Sequence, residues 1–61
     1  MEPIVDLLTT REAAAYLRQS ESTLNHWRID KKGPKHLRIG RRVLYRRPDL
    51  VAFVDALAEA S

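Results

Sequence analysis

The dipeptide Gly33-Pro34, near the middle of the 61-residue chain, forbids one continuous helix, and the hydrophobic period changes across it. Proline has no amide donor and pushes the residue before it out of the helical region. Before it, apolar residues recur at helical spacing. After it, residues 36–47 alternate with a period of two. The pattern predicts two short helices, then a two-stranded β-hairpin, then a C-terminal helix after Pro48: a mainly α, α+β arrangement in a single domain spanning residues 1–61. Such a short chain buries only about 60% of the surface its unfolded form exposes. With no cysteine there is neither a disulfide framework nor a thiolate zinc site to brace it. A few apolar positions must therefore supply the core, and a deep catalytic pocket is not expected.

Thr9-Thr10-Arg11-Glu12 has the capping-box pattern, with Thr9 as N-cap and Glu12 reaching back to its amide. A first helix is expected from Thr10 to Arg18, with Ala13, Ala14 and Leu17 inward and Tyr16 partly buried. Ile4, Val5, Leu7 and Leu8 form a lead-in able to pack on the core. Ser20 is a second N-cap candidate, opening a helix from Glu21 to Ile29 or Asp30. Ser20, Leu24, Trp27 and Lys31 share one side at about 100° per residue, which must face the first helix. The opposite side carries Ser22, Asn25, His26 and Ile29. In the hairpin, a three-residue Gly40-Arg41-Arg42 loop would set Ile39 opposite Val43 and Leu37 opposite Tyr45, gathering the apolar residues on one face. A two-residue Gly40-Arg41 loop would mix the faces, so the pattern favours the longer loop. Pro48 and Asp49 suit the first turn of a last helix, with Leu50, Phe53, Val54 and Leu57 as its inward stripe and fraying expected from Ala56 onward.

Charge is distributed unevenly. Nine of the eleven Lys and Arg residues lie between Arg28 and Arg47 with one acid, Asp30, a local charge of +8; the rest of the chain carries −5. Such segregation fits a polyanionic partner. Two helices joined by a tight turn, the second opening at a serine cap, is the plan that places a recognition helix in the major groove. Ser22, Asn25 and His26 are types that read base edges, flanked by Ser20, Glu21 and Thr23; asparagine pairs bidentately with adenine, and glutamate accepts from the cytosine amino group. Arg41 and Arg42 at the hairpin tip, with Arg38 and Arg46 on its outer face, form a cationic finger suited to phosphates or a narrow minor groove. Arg28, Lys31 and Lys32 extend the basic surface. Trp27 and Tyr45 fall on inward faces and read as core. His26 and His36 lie on different elements without a cysteine to complete a metal site, and no nucleophile–base order or glycine-rich phosphate loop occurs, so neither a metal, a cofactor nor an enzyme is expected. No apolar run approaches the roughly 18 residues of a membrane span.

Taken together, Leu8-Thr9-Thr10-Arg11-Glu12-Ala13-Ala14-Ala15-Tyr16-Leu17, then Ser20-x-x-Thr23-Leu24-x-x-Trp27-Arg28, Gly33-Pro34, Arg38 to Arg47 and Asp49-Leu50 resemble the excisionase family, whose winged helix-turn-helix is shared with the DNA-binding part of MerR-type regulators. The resemblance covers about residues 7–57. It implies that the helix beginning at Ser20 reads the major groove and that the Gly40-Arg41-Arg42 wing meets the backbone or minor groove. It implies further that copies bind repeated attachment-site sequences cooperatively, bend the double-stranded DNA and steer a phage integrase towards excision in the bacterial cytoplasm, without doing chemistry. Two departures stand out. Arg18 and Gln19 occupy the inter-helix turn where the family usually has glycine and a small apolar residue, so a left-handed backbone at Arg18 would cost about 1 kcal/mol. Pro48 stands where a polar cap is usual. The expected role is a recombination directionality factor. A small MerR-like transcriptional regulator on the same scaffold is the alternative, and an adaptor whose basic wing meets an acidic protein is a third. With no coiled coil or effector domain following the wing, a full MerR-type sensor is not expected.

Overall fold

Thr9 opens the first helix as its spacing from Glu12 predicts. In the computed structural model, which describes residues 7–60, the Glu12 amide donates to Thr9 Oγ1 at 3.1 Å and the Thr9 amide donates to Glu12 Oε1 at 2.9 Å. Two of the four amides orphaned at this end are thereby paired. The elements run β1 (Leu7–Thr9), α1 (Thr10–Leu17), α2 (Glu21–Ile29), β2 (Leu37–Ile39), β3 (Arg42–Arg46) and α3 (Arg47–Ala60). Ile4 and Val5 lie outside the described residues.

Both short helices stop by the same device. Arg18 takes a left-handed conformation, φ 59°, its amide donating to Ala15 O at 3.2 Å and that of Gln19 to Ala14 O at 2.8 Å. Lys31 does likewise after α2, φ 59°, its amide donating to Arg28 O at 3.1 Å and that of Lys32 to Trp27 O at 2.8 Å. These crossed bonds are the Schellman arrangement, which satisfies the last carbonyls of a helix and usually recruits glycine. Here two cations hold the position, each at a cost of about 1–2 kcal/mol. The chain thus keeps the usual backbone of the inter-helix turn at Arg18 despite lacking glycine there. Lys31 leaves the helix and does not extend the inward stripe of α2.

The sheet has one strand more than the two-stranded hairpin expected, in antiparallel order β1-β3-β2. Leu7 to Thr9, read as lead-in, pairs with β3 and sets Leu8 opposite Tyr45. Too short to show alternation, this strand becomes visible only through its partner. The hairpin register also differs from the expected one. Leu37 pairs with Leu44, Arg38 with Val43 and Ile39 with Arg42, so the loop is the two-residue Gly40-Arg41 turn. Gly40 has φ 61° and Arg41 is not left-handed, which is the requirement of a type II′ turn, whose twist matches the strands it joins. Leu37 and Ile39 consequently share a face with Arg42, Leu44 and Arg46, opposite Val43 and Tyr45, and Ile39 is 52% exposed. Apolar matching across an isolated hairpin pointed the other way because it left out β1, which with Leu8 completes the inner face around Tyr45.

The core joins that inner face to the helices: Leu8, Ala13, Ala14, Leu24, Tyr45 and Leu50 are buried, with Leu17, Trp27 and Val43 packed against them. Fully burying a leucine such as Leu24 or Leu50 contributes about 1.5–3 kcal/mol. Of the stripe expected on α3, Leu50 is buried and Phe53 partly so, its ring centre 5.6 Å from that of Trp27 and tilted by 54°. Val54 and Leu57, expected on the same stripe, are 41% and 54% exposed. The helix continues to Ala60 rather than fraying from Ala56. Tyr16 lies at the surface with the Arg47 guanidinium 5.7 Å from its ring centre.

Candidate nucleic-acid interface

Ser20 caps α2: its Oγ accepts from the Thr23 amide at 3.1 Å and is bonded to Thr23 Oγ1 at 2.9 Å. The cap fixes the start of the helix and therefore which residues turn outward. Ser22, Asn25, His26 and Ile29 are all exposed while Leu24 is buried, as the helical period predicts; Ile29 is 75% exposed. His26 Nδ1 lies 2.9 Å from the Ser22 carbonyl. A carbonyl only accepts, so Nδ1 carries the proton there, and in the neutral ring Nε2 is left as an outward acceptor.

Arg28 is half-buried at the end of α2 and ties it to the sheet. Its Nη1 donates to the Tyr45 hydroxyl at 2.8 Å and to Thr10 Oγ1 at 3.4 Å, while Nη2 donates to Asn25 Oδ1. Beyond it the chain forms a bay of about 450 Å³ lined by Arg28, Lys31, Lys32, Gly33, Pro34, Lys35 and His36. Four basic residues and no acid line it, so the field there favours an anion such as a phosphate. Gly33 gives the loop its shape. It has φ 88°, and a Cβ there would stand 2.8 Å from Trp27 Cε3, so the backbone lies directly on the indole. Lys35 and His36 were not among the residues expected from the sequence; what could have marked them is their place beside Gly33-Pro34, which folds the loop back towards α2.

On the hairpin, Arg38, Arg41, Arg42 and Arg46 are exposed. Arg38 opposes Val43 and therefore does not share a face with Arg46, as the other register would have required. Arg46 forks Asp49, with Nε 2.9 Å from Oδ2 and Nη2 3.1 Å from Oδ1. Hydrogen bonding to Arg46 holds the Asp49 carboxyl below the usual carboxylate range and raises the guanidinium in turn. This ion pair steadies the junction of β3 with α3.

A family model for the helix-turn-helix domain matches residues 7–58. The chain belongs to that family. No curated protein and no solved structure matches it. As a helix-turn-helix domain it binds double-stranded DNA, with α1 and α2 as the helix pair and the β2–β3 hairpin as wing. Of the residues expected at the interface, Glu21, Ser22, Asn25, His26, Lys31, Lys32, Arg38, Arg41 and Arg42 are exposed. Ser20 and Arg46 are exposed too, Thr23 and Arg28 partly buried; Ser20 and Thr23 also form the cap, and Asn25, Arg28 and Arg46 have partners within the domain. Among the described residues, no helix is long and apolar enough to cross a membrane, and no three His, Asp or Glu side chains gather as a metal site would require.

Proposed function

We propose that this helix-turn-helix domain lays the exposed face of α2 in the major groove while Arg41 and Arg42 at the wing tip hold the neighbouring backbone or minor groove, and that it serves as an excisionase. In this role it performs no chemistry. Copies assemble on adjacent sites, bend attachment-site DNA and direct a phage integrase towards excision in the bacterial cytoplasm. The observation that carries the groove reading is the cation-lined bay at the C-terminal end of α2. A helix face bearing Ser22, Asn25 and His26 supplies hydrogen bonds to base edges, and the bay supplies phosphate contacts where the strand must pass. The excisionase role is supported by the resemblance over about residues 7–57, and a MerR-like regulator on the same scaffold is the second reading.

Two experiments test this. Duplex retardation over a salt series should show a log–log slope of about −4 to −5, as expected for four to six neutralised phosphates. An excision assay with an integrase and its attachment sites should then depend on the protein. Excision that is unchanged on omitting it, with binding upstream of a promoter, would leave the regulator. No retardation at roughly 100 mM salt, where specific complexes persist, together with tight binding to an acidic protein, would overturn DNA recognition in favour of an adaptor.

A further inference from the structure

Tyr45 is only 1% exposed, and its hydroxyl at the edge of the core accepts a hydrogen bond from Arg28 Nη1 at 2.8 Å. Nη1 also reaches Thr10 Oγ1 at 3.4 Å, so one guanidinium is held by β3 and by the start of α1. Its other terminal nitrogen, Nη2, meets the side-chain amide of Asn25, one turn back on the exposed face of α2. A guanidinium has donors and no acceptor, so the atom it meets must be the amide oxygen. The orientation of the Asn25 amide is thereby fixed: Oδ1 lies against a cation, and both Nδ2 hydrogens are left to donate.

From this we infer that Arg28 is a positioning residue that turns Asn25 into a donor, so that α2 reads an acceptor-edged base, guanine or thymine, at that position. Pairing with adenine needs the amide oxygen to accept from the adenine amino group while the nitrogen donates to N7. Here the oxygen already serves a guanidinium, and a second donor brought beside it meets positive charge. Guanine N7 and O6 and thymine O4 only accept, and they suit an amide whose oxygen already faces a cation and whose two N–H hydrogens are free to donate. The inference rests on the proposal that α2 lies in the major groove, and it replaces the adenine contact that asparagine alone suggests.

The test is selection from a randomised duplex by the full chain. Asn25→Ala identifies the base position that Asn25 reads, by relaxing it. The wild type should favour guanine or thymine there by about tenfold. Asn25→Asp keeps an oxygen for Arg28 and replaces the outward donors with a second oxygen, so the preference should move to cytosine or adenine at that position alone. Tyr45→Phe removes one anchor of Arg28. With folding verified by circular dichroism, it should broaden the same position and leave the others as sharp as before. Adenine chosen by the wild type, or Asn25→Asp leaving the preference in place, would overturn the inference while DNA reading stands. Equal broadening at every position in Tyr45→Phe would reduce Arg28 to a structural tie and also overturn it. Failure of the wild type to select or retard any duplex would refute the groove reading itself, and the inference with it.

Discussion

Replacing Gly33 by alanine isolates the contact that shapes the loop between the helix pair and the wing. Two costs add at this position. An L-residue at φ 88° pays about 1–2 kcal/mol in backbone strain. The new methyl would also stand 2.8 Å from Cε3 and 3.0 Å from Cβ of Trp27. The indole cannot simply move aside, because it meets the tilted ring of Phe53 and is packed against the core. Overpacking of this kind costs about 1–3 kcal/mol. The total of about 2–5 kcal/mol is comparable to the 3–5 kcal/mol that a core of this size rarely exceeds. Gly40 is the internal control: it has φ 61°, and a Cβ there would meet nothing within 4 Å. Gly40→Ala should therefore cost the strain alone, about 1–2 kcal/mol. Urea unfolding followed by the fluorescence of Trp27, the sole tryptophan, measures both variants. Gly33→Ala should be the weaker by about 1–3 kcal/mol, or be unfolded at the outset. Equal midpoints would show that the indole does not press on the loop and would refute the packing described.

Arg41→Ala combined with Arg42→Ala should weaken binding to all duplexes alike and flatten the log–log salt slope by about 2, read by fluorescence anisotropy over a salt series; an unchanged slope would mean that the tip is not a phosphate contact. Arg18→Gly should relieve the left-handed strain and, net of the extra chain entropy of glycine, raise stability by about 0.5–1 kcal/mol in denaturant unfolding. Asp49 has a folded-state pKa below its ordinary value because Arg46 bonds the ionised form. Its contribution is therefore present above the ordinary carboxylate range and lost as pH falls through the lowered value. Asp49→Asn should remove that part of the acid dependence of the melting temperature, and an identical pH profile would show that the pair does not couple to folding.

Local chemistry made the helices legible. Thr9-x-x-Glu12 and Ser20 mark helix starts by satisfying amides nearby in sequence, and those bonds form as spaced. Leu24, Ala13 and Ala14 could be placed inside from the 3.6-residue period, and Tyr45 and Trp27 from their faces. The sheet was less legible because its determinants are not local. Leu7–Thr9 is a strand only because β3 offers an edge, and the same pairing allows a II′ turn at Gly40 that leaves Leu37 and Ile39 outside. At the interface the sequence supplied the residue types, with the exposed Ser22, Asn25 and His26 on one helix face. It could not show that Arg28 is committed to Tyr45, Thr10 and Asn25, since these partners lie up to 18 residues away along the chain. Nor could it show that Lys35 and His36 fold back to close a bay with Arg28.

The central claim is that the outward face of α2 and the wing tip address one duplex together. Amide chemical-shift mapping during titration with a selected duplex tests it most directly. Shifts should develop in parallel at Ser22, Asn25 and His26, at Lys31 and Lys32, and at Arg41 and Arg42, while Ala58 on the far part of α3 stays in place. Shifts confined to α3, or a response from α2 with none from the wing at saturating DNA, would contradict it.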